Sequence, residues 1–429
     1  MVSSWPIIIV TGANGGVGFG ICQRLLYQLS QSTPSDLLLG PHGESVDFDF
    51  PCEGLTLIMA CRSKKRAQAA RDQLFSLLDT FILNLRKQPG YDGHADAFRK
   101  NVQIDIHELD LGMLKSVGEF TRTVSAKYPY VSHLICNAGV APFERIVWSR
   151  ALKQFAVDPL GAVTTPMFYT QTFGEISMDG YGWVWQCNLF GHYTLARDLQ
   201  HLLESPKYPH DARVIWTSSL KALRTYESDD WQLKLTQDPY GASKYQTELI
   251  ATHLDRVALR EQSVSHKKVV RHFISHPGVC HTNIDLNLIF PVLHYLKWLV
   301  FHLARLLGSL NHPISYEKGA VAAVWLSLAS LSSISSVFRS QPNPPSAPQP
   351  TKSNGNQNGV SKMSPEEHPP LKFGSQCDRF GKPIVGIQRI ENWNSDEAER
   401  LVSLCDGLYQ DAKAAEARGP ISETASERM

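Results

Sequence analysis

The sequence predicts an α/β fold, in which helices cover both faces of a doubly wound parallel sheet. Short apolar segments rich in β-branched residues recur along about the first 330 residues, and segments with helical periodicity separate them. The first apolar segment runs directly into a glycine cluster, TGANGGVG. Regular alternation of strand and helix is typical of parallel sheets with right-handed crossovers.

Six strands are predicted in chain order. The first, PIIIV, is apolar at every position, which indicates a strand buried on both faces. Helical patterns follow the first two strands over 16–30 and 64–87. The six predicted strands lie within PIIIV (6–10), LTLIMA (55–60), NVQIDIHELDL (101–111), HLICNAGV (133–140), RVIWTSS (213–219) and VVRHFISHPG (269–278).

We predict one domain over residues 1–331, interrupted by inserts at 31–53 and 141–181. The first insert is polar. The second is rich in glycine, proline, threonine and aromatic residues. It is too long for a routine connection, which favours a lid or a wall of a binding site. Its aromatic residues that could form an apolar wall are Phe143, Trp148, Phe155, Phe168, Tyr169 and Phe173.

Two further segments complete the chain. Proline, serine, asparagine and glutamine dominate residues 332–370. Such a segment cannot bury enough apolar surface to offset its ordering entropy, so we predict a disordered linker. A C-terminal extension, 371–429, then contains one predicted strand in GKPIVGIQRI and a closing helix over 395–416.

Composition excludes several classes of function. The chain has 42 Lys+Arg and 41 Asp+Glu, a net charge of +1, so no nucleic-acid partner is expected. The eight cysteines form no CxxC pair, which favours reduced thiols over a zinc site or disulfides. His192, His201 and His210 lack metal-ligand spacing. We therefore expect no metal and read these histidines as solvated or core residues.

The apolar segment 286–310 is about as long as a bilayer span, but it contains Pro291, Lys297 and Arg305. Its basic and histidine residues recur at helical spacing. This pattern favours an amphipathic helix that lies on a membrane surface or caps an apolar pocket. A buried core helix is the alternative.

The glycine cluster TGANGGVG places Gly12, Gly16 and Gly18 between the first strand and the first helix, with Val17 in the same turn. Gly12 would provide a tight turn, Gly16 a close approach to a diphosphate, and Gly18 close helix–strand packing. The diphosphate would lie at the positive end of the helix. The motif therefore predicts a dinucleotide site in a Rossmann-like fold, with a purely structural turn as the alternative.

Basic residues follow the second strand in ACRSKKR, where an NAD site usually has an acid. Arg62 would bind a 2′-phosphate through charge-assisted hydrogen bonds, with Lys64, Lys65 and Arg66 nearby. The alternative, a solvated helix start, would place these cations unfavourably against the helix dipole. We therefore predict NADP(H) as the cofactor.

Two more positions are predicted to contact the cofactor. Asp110, after the third strand, is placed to hydrogen-bond the adenine, although a helix cap is nearly as good an explanation. Asn137 begins an Asn-Ala-Gly sequence at the end of the fourth strand. The small residues there would let the backbone pass under the cofactor.

Tyr240 and Lys244, in YGASK, lie four residues apart and so share one face of a helix. A ketone that accepts a hydride develops alkoxide charge and needs a proton. A phenol with a pKa of about 10 is a poor acid at neutral pH, and an adjacent ammonium, together with the positive charge of an oxidised nicotinamide, would stabilise the phenolate and lower that pKa. Tyr240 is therefore a candidate proton donor and Lys244 its tuning cation, which would also hold the ribose hydroxyls. An ordinary surface pair is the alternative.

Ser218 and Ser219 follow the fifth strand. A serine there would hydrogen-bond the carbonyl oxygen and orient it. We favour Ser219 by its position after the strand and keep Ser218 as the second choice.

These motifs, in this order, resemble the short-chain dehydrogenase/reductase family: TGANGGVG, NAG (137–139), Ser218-Ser219, YGASK (240–244) and PGVCHT (277–282). The segments CNLFGHYTLARDL and DPYGASKYQTEL look like the 3-keto-steroid reductases within that family. The resemblance implies that Asn188 holds a water in a proton relay to Lys244. It also implies that the Val279 backbone binds the cofactor carboxamide and that Thr282 hydrogen-bonds the cofactor.

The same resemblance implies NADPH-dependent reduction of a sterol 3-ketone to a 3β-hydroxy sterol during C-4 demethylation. It implies a place on the cytosolic face of the endoplasmic reticulum membrane or on lipid droplets. The implied partners are the C-4 methyl oxidase, the decarboxylating 3β-hydroxysteroid dehydrogenase and oxidosqualene cyclase. A 17-ketosteroid or retinal reductase, and a largely scaffolding subunit of a sterol-synthesis complex, remain alternatives.

Overall fold

The computed structural model describes residues 5–40, 52–281, 291–341 and 369–418, and all six strands predicted from the sequence lie within these ranges. The strands are β1 Ile7–Thr11, β2 Leu55–Cys61, β3 Val102–Glu108, β4 His133–Cys136, β5 Phe143–Ile146, β6 Tyr169–Gln171, β7 Ala212–Thr217, β8 Val270–His276, β9 Leu371–Cys377 and β10 Pro383–Arg389.

The main sheet has the strand order β10-β9-β8-β7-β4-β1-β2-β3. Neighbouring strands are parallel, except that β10 is antiparallel to β9. Ile8 of β1 lies opposite Leu57 on one side and His133 on the other. The chain therefore winds outward through β2 and β3 and then returns to the other side of β1. This reversal confirms the doubly wound fold, and it leaves a crevice at the carboxyl ends of β1 and β4, where such sheets bind ligands.

Helices cover both faces of this sheet. The α-helices are α1 Gly16–Leu29, α2 Lys64–Leu85, α3 His94–Asn101, α4 Leu114–Lys127, α5 Trp148–Val157, α6 Pro159–Thr164, α7 Trp183–Trp185, α8 Gly191–Asp198, α9 Gln200–Leu203, α10 Pro239–Ser265, α11 Pro291–Leu306, α12 Tyr316–Gly319, α13 Val321–Leu328, α14 Leu331–Ser340 and α15 Ser395–Arg418. Short 3₁₀ helices occur at Ser35–Leu39 and Ser228–Asp230, and a π-helical turn at Gln186–Phe190.

The first strand shows how the sheet divides the core. Ile8 and Val10 pack with side chains of α1, α2 and α13 on one face. Ile7 and Ile9 pack with side chains of α4 and α8 on the other face. Successive side chains of a strand point to opposite faces, so a strand covered on both sides is apolar at every position. All of β1 is buried accordingly.

The C-terminal segment is part of the main sheet, so strands within the predicted extension 371–429 complete the sheet formed by residues 1–331. Strand β9, which the sequence pattern did not reveal, pairs in parallel with β8. Strand β10 pairs with β9 through the predicted GKPIVGIQRI segment. Helix α15 agrees with the predicted closing helix, and its Leu401 and Cys405 pack with Tyr245 and Leu249 of α10.

The linker prediction is wrong at its start. Residues 331–340 form α14, whose Ile334 and Val337 are buried against the sheet core. The Ser330 hydroxyl accepts a hydrogen bond from the Ser333 backbone N–H and so caps the helix. Serine-rich composition hid an amphipathic pattern here, because two apolar residues three positions apart suffice to anchor a short helix. Residues 342–368 of the predicted linker lie outside the described residues.

The two predicted inserts fold differently. In the first insert, Asp36 of the 3₁₀ helix pairs with Arg24 of α1, and residues 41–51 lie outside the described residues. The second contains α5, α6 and a two-stranded antiparallel sheet of β5 and β6. It stands at the carboxyl edge of the main sheet, since its β6 residue Gln171 accepts a hydrogen bond from the backbone N–H of Tyr240.

The apolar segment 286–310 contains α11, while its residues 286–290 lie outside the described part of the chain. Phe301 and Ala304 of α11 are buried, whereas Leu299 and Leu303 are 57% and 52% exposed. The helix is therefore amphipathic rather than a fully buried core helix. Among the described residues, no single helix meets the length and hydropathy needed to cross a bilayer. The bent pair α13–α14 does so by length and composition, but α13 is buried in the core.

Candidate active site

A cavity of about 720 Å³ opens at the carboxyl ends of β1, β2, β4, β7 and β8. The predicted site residues that line it come from the glycine cluster, from the segments that follow β2, β3, β4, β7 and β8, and from the start of α10. They are Gly12, Gly16, Val17, Arg62, Asp110, Asn137, Ser218, Ser219, Tyr240, Lys244 and Val279. The fold thus brings together, in one cavity, positions that are up to about 270 residues apart in the chain.

The backbone of the glycine-rich turn allows a ligand and helix α1 to approach it closely. Gly12 and Gly16 have φ of +66° and +52°, in the left-handed region that favours glycine. A methyl group on Gly18 would overlap the carbonyl oxygen of Gly12, so Gly18 lets α1 pack tightly on the turn. Space around Gly16 is open to 4 Å. Gly15 occupies the N-cap position of α1, and among the described residues no side chain there accepts from the first N–H groups of the helix. This arrangement fits a diphosphate at the helix N-terminus.

The basic cluster and Asp110 line the same cavity. Arg62 and Arg66 are exposed and line it, whereas Lys64 and Lys65 are exposed outside it. Asp110 Oδ1 accepts a hydrogen bond of 2.9 Å from the Gly112 N–H, so this carboxylate also stabilises a turn. Arg62 and Asp110 therefore both have polar side-chain atoms at the cavity that a ligand can reach, as their predicted roles require.

Tyr240 stands in the first turn of α10. Asp238 caps this helix by accepting from the Gly241 N–H at 3.0 Å, and Pro239 occupies its first position, where a missing N–H is harmless. The Ser219 side chain forms a hydrogen bond with the Tyr240 hydroxyl. Lys244, one turn later, has its Nζ 6.0 Å from the centre of the Tyr240 ring. The sequence DPYGASK therefore places the phenol and the ammonium on one face of the helix.

The two candidate serines point to different partners. Ser219 bonds Tyr240 within the cavity and accepts a hydrogen bond of 3.1 Å from the Lys221 N–H. Ser218 is 2% exposed, and its hydroxyl donates to Glu248 at 2.6 Å. Only Ser219 is paired with the phenol, so the geometry favours Ser219 as the serine that would orient a carbonyl.

Asn188 lies in the π-helical turn, and its side chain forms hydrogen bonds that hold the loop after β4. Its Oδ1 accepts from the Val140 N–H at 2.7 Å, and its Nδ2 donates to the Val140 carbonyl and the Ser243 hydroxyl, each at 3.0 Å. Asn188 does not line the cavity in this structure. The water relay implied for Asn188 stays a prediction, because the hydrogen bonds of its side chain in this structure join it to Val140 and Ser243.

Three other predicted cofactor contacts have distinct outcomes. Asn137 donates from Nδ2 to the Thr11 carbonyl at 2.9 Å, so its side chain braces the glycine turn. Val279 lines the cavity, but its N–H donates to the Asn311 carbonyl at 2.7 Å and its carbonyl accepts from Ile314 at 3.1 Å. Both backbone groups of Val279 are therefore engaged within the protein in this structure, and the implied carboxamide contact stays a prediction. Thr282 lies outside the described residues.

Burial shifts the pKa values of both Tyr240 and Lys244. Burial raises the pKa of Tyr240, while the hydrogen bond with Ser219 acts in the opposite direction and Asp238 adds to the rise. Burial lowers the pKa of Lys244 to about 8, opposed by Cys136 and Glu248. The predicted lowering of the Tyr240 pKa, which also relied on the positive charge of an oxidised nicotinamide, stays a prediction, and burial of the phenol acts against it. Lys244 Nζ instead donates to the Thr217 carbonyl at 2.8 Å.

The remaining wall of the cavity is apolar. The ring of Phe143 lies 5.9 Å from the Tyr240 ring and 5.0 Å from the Tyr169 ring, which places the aromatic insert directly beside the phenol. The apolar side chains of this wall are Phe143, Ile146, Trp148, Phe155, Phe168, Tyr169, Leu296, Val300 and Phe301. Phe173 lies outside it and is 51% exposed, so its predicted place in the wall is wrong. Helix α11 closes this side, as the pocket-capping interpretation predicts.

Comparison with known proteins gives a consistent result. No family model matches the chain. The 3-keto-steroid reductase erg27 of Aspergillus fumigatus is 29% identical, in an alignment that covers 98% of this chain and 89% of the relative. The 3-keto-steroid reductase erg27 of Schizosaccharomyces pombe is 28% identical, with 94% and 96% covered. This chain is similar to the 3-keto-steroid reductases along nearly its whole length.

A mammalian 3-keto-steroid reductase aligns over less of the chain. The 3-keto-steroid reductase/17-beta-hydroxysteroid dehydrogenase 7 of Rattus norvegicus is 28% identical, with 75% of this chain and 80% of the relative covered. A solved structure of L-sorbose reductase from Gluconobacter frateurii, complexed with NADPH and L-sorbose, has a TM-score of 0.46 and 13% identity, covering 76% and 90% of the two chains.

Sequence reasoning did not place three buried polar residues beside the site, although it read His192 as a solvated or core histidine. Thr11 and His192 join the glycine turn to the helix that carries Asn188. Glu248 stands one turn beyond Lys244 and bonds Ser218. The available signal was spacing: His192 and Glu248 each lie four residues after a predicted site residue, Asn188 and Lys244, and so share its helical face.

Proposed function

We propose that this protein uses NADPH to reduce a sterol 3-ketone to the 3β-hydroxy sterol during C-4 demethylation. The observation that carries the proposal is the cavity in which Ser219, Tyr240 and Lys244 stand between a glycine-rich turn and an aromatic wall. The similarity to curated 3-keto-steroid reductases along nearly the whole chain supports the substrate class.

The chain's own side chains would handle the proton and the carbonyl. NADPH, when bound, supplies the hydride. Ser219 would hydrogen-bond the carbonyl oxygen and hold it against the phenol. Tyr240 would donate its proton to the oxygen as negative charge develops there. Lys244, a cation below about pH 8, would hold the ribose hydroxyls and favour the tyrosinate formed after transfer.

The cofactor preference follows from charge at the far end of the cavity. Arg62 and Arg66 both line it and present guanidinium groups without a described carboxylate partner. A planar guanidinium is suited to a 2′-phosphate, and a ribose diol would need an acid at this place. Gly12, Gly16 and Val17 would surround the diphosphate, and Asp110 would lie near the adenine.

Burial of apolar surface, rather than charge, would drive binding of the substrate. A sterol is rigid and almost entirely hydrocarbon, so its site needs apolar walls with few polar groups near the reacting carbon. Phe143, Tyr169 and Phe301 provide such walls beside Tyr240. A 17-ketosteroid is the second candidate substrate, because the rat relative's name includes 17-beta-hydroxysteroid dehydrogenase activity.

The direct test is NADPH oxidation by the purified full chain with sterol 3-ketones, 17-ketosteroids and retinal. We expect turnover with sterol 3-ketones, a much lower kcat/KM with the other two, and none with Tyr240→Phe although that variant still binds NADPH. Turnover retained by Tyr240→Phe would contradict the proposed proton donor. A full-length protein that binds partners but turns over no ketone would instead support the scaffolding alternative.

We further propose that the protein works on the cytosolic face of the endoplasmic reticulum or on lipid droplets, beside the C-4 methyl oxidase, the decarboxylating 3β-hydroxysteroid dehydrogenase and oxidosqualene cyclase. Support comes from the outward face of α11, where Leu299 and Leu303 are exposed on the helix that also closes the cavity. An apolar face of this kind suits a lipid surface that delivers a sterol.

This location is testable with vesicles of endoplasmic-reticulum lipid composition. The double variant Leu299→Glu/Leu303→Glu should lose flotation with the vesicles while keeping turnover on a detergent-dispersed ketone. Leu83→Glu on α2, at a leucine that is 52% exposed, is the matched control and should float like the unmodified protein. Equal flotation of all three proteins would contradict this role of α11.

A further inference from the structure

A buried polar cluster lies directly behind the candidate catalytic residues. The Ser218 hydroxyl donates to Glu248 Oε1 at 2.6 Å, and Lys372 Nζ bonds the same oxygen at 2.7 Å. Ser218, Glu248 and Lys372 are 2%, 1% and 7% exposed. The three residues come from three elements: the end of β7, the middle of α10, and β9.

A carboxylate is costly to bury unless it is paired and hydrogen-bonded. Lys372 provides the pairing charge for Glu248, and Ser218 provides a further hydrogen bond. Strand β9 can deliver Lys372 because its next residues, Phe373 and Gly374, pair with the last residues of β8 at the same edge of the sheet. Strand β9 thus balances a charge inside the core formed with residues 1–331.

The cluster also connects the elements that carry the candidate catalytic side chains. Ser218 is the neighbour of Ser219, so a bond at Ser218 fixes the backbone that presents Ser219. Glu248 is one turn beyond Lys244 and two turns beyond Tyr240, so it shares their helical face. The Ser218–Glu248 bond therefore bridges the end of β7 and α10, between which the Ser219–Tyr240 hydrogen bond forms.

We propose that Glu248 and Lys372 are positioning residues that hold Ser219 and Tyr240 at the separation needed for proton transfer. Through them, strand β9 becomes part of the active-site scaffold. This inference rests on the proposed reductase function. Glu248 acts through Ser218, and Lys372 acts by pairing with Glu248 and holding it in place.

Two double variants separate positioning from stability. Glu248→Gln/Lys372→Met removes both charges but leaves a side-chain oxygen that can accept from Ser218. Glu248→Leu/Lys372→Met removes the charges and the acceptor, and replacing a buried ion pair by apolar residues is often tolerated. We expect the first to keep kcat within about threefold and the second to lose about tenfold, which corresponds to one hydrogen bond of about 1.4 kcal/mol.

Two single variants complete the set. Ser218→Ala, which leaves the ion pair intact, should also lose about tenfold in kcat while KM for NADPH changes less than about twofold. Lys127→Met breaks the exposed Lys127–Asp105 pair and serves as the matched control, with unchanged kcat. Thermal unfolding of each variant checks that the folded fraction is the same.

The outcomes are distinguishable. Absence of NADPH-dependent ketone reduction in the unmodified protein would overturn the proposed function. In a second outcome, the unmodified protein turns over normally, and both double variants and Ser218→Ala have the same kcat as the unmodified protein. That result would overturn the positioning role and leave the proposed function standing. A lower kcat in Ser218→Ala and Glu248→Leu/Lys372→Met alone supports the inference.

Discussion

The hydroxyl of Thr11 lies 2.9 Å from Nε2 of His192, and this contact determines which ring nitrogen of the histidine carries the proton. Thr11 Oγ1 also accepts hydrogen bonds from the N–H groups of Asn137 and Ala138, each at 2.9 Å. Its own hydrogen is then free to be donated, and His192 is closer than the Ile135 carbonyl at 3.4 Å. Nε2 must accept it, so the ring carries its proton on Nδ1, which donates to the Asn188 carbonyl at 3.3 Å.

This network predicts that His192 supports cofactor binding without touching the cofactor. In His192→Phe, Thr11 loses its nearest acceptor, and the backbone of Asn137 and Ala138 is less firmly held under the cofactor. We expect NADPH to bind about tenfold more weakly, the equivalent of about 1.4 kcal/mol. Fluorescence titration with NADPH measures it.

The same substitution at the exposed His201 is the matched control and should leave NADPH affinity unchanged. Burial lowers the pKa of His192 to about 3, so the ring stays neutral and contributes no step in NADPH affinity between pH 5 and 8. Unchanged affinity in a folded His192→Phe protein would show that the network does not support the cofactor site.

The two serines should respond differently to removal of their hydroxyl groups. Ser219 bonds Tyr240, so Ser219→Ala removes a donor aimed at the developing charge, and kcat should fall about 10²–10³-fold. Ser218→Ala should cost about tenfold, because Ser218 acts only through Glu248. Single-turnover rates with a sterol 3-ketone make the comparison. A larger loss in Ser218→Ala would reverse the assignment.

Cofactor preference should depend on Arg62. Arg62→Asp replaces a guanidinium that lines the cavity by a group that can accept from a ribose diol, so the ratio of kcat/KM for NADPH to that for NADH should invert. Lys65→Asp makes the same charge change three residues later, in the first turn of α2 and outside the cavity lining, and should alter the ratio far less. If both variants change it equally, general electrostatics rather than Arg62 sets the preference.

The sheet was predictable because its physical signals are local. PIIIV is apolar at each position because β1 is covered on both faces, and the glycines after it are required by backbone angles and close packing. The same local logic placed Tyr240 and Lys244 on one helical face. These signals need no knowledge of distant residues.

Contacts between distant segments were not predictable in the same way. Strand β9 reads LKFGSQC, where glycine, serine and glutamine obscure a strand that is stabilised by pairing with β8 and β10. Lys372 looks like a surface lysine until the fold places it against Glu248. The raised pKa of Tyr240 likewise depends on burial by the insert and on Asp238, which a helical-face argument does not contain.

Activity should fall above about pH 8 as Lys244 loses its proton. Burial lowers the pKa of Lys244 to about 8, so the ammonium that would hold the ribose is present below that pH and lost above it. Cys136, which faces Lys244, has its pKa raised by burial and stays a neutral thiol, while Glu248 stays paired with Lys372. We therefore expect kcat/KM for NADPH, which reports the free enzyme, to decline tenfold per pH unit above this pKa. Lys244→Arg, charged beyond about pH 12, should lower kcat/KM but abolish the decline; a decline that persists in this variant would assign it to another group.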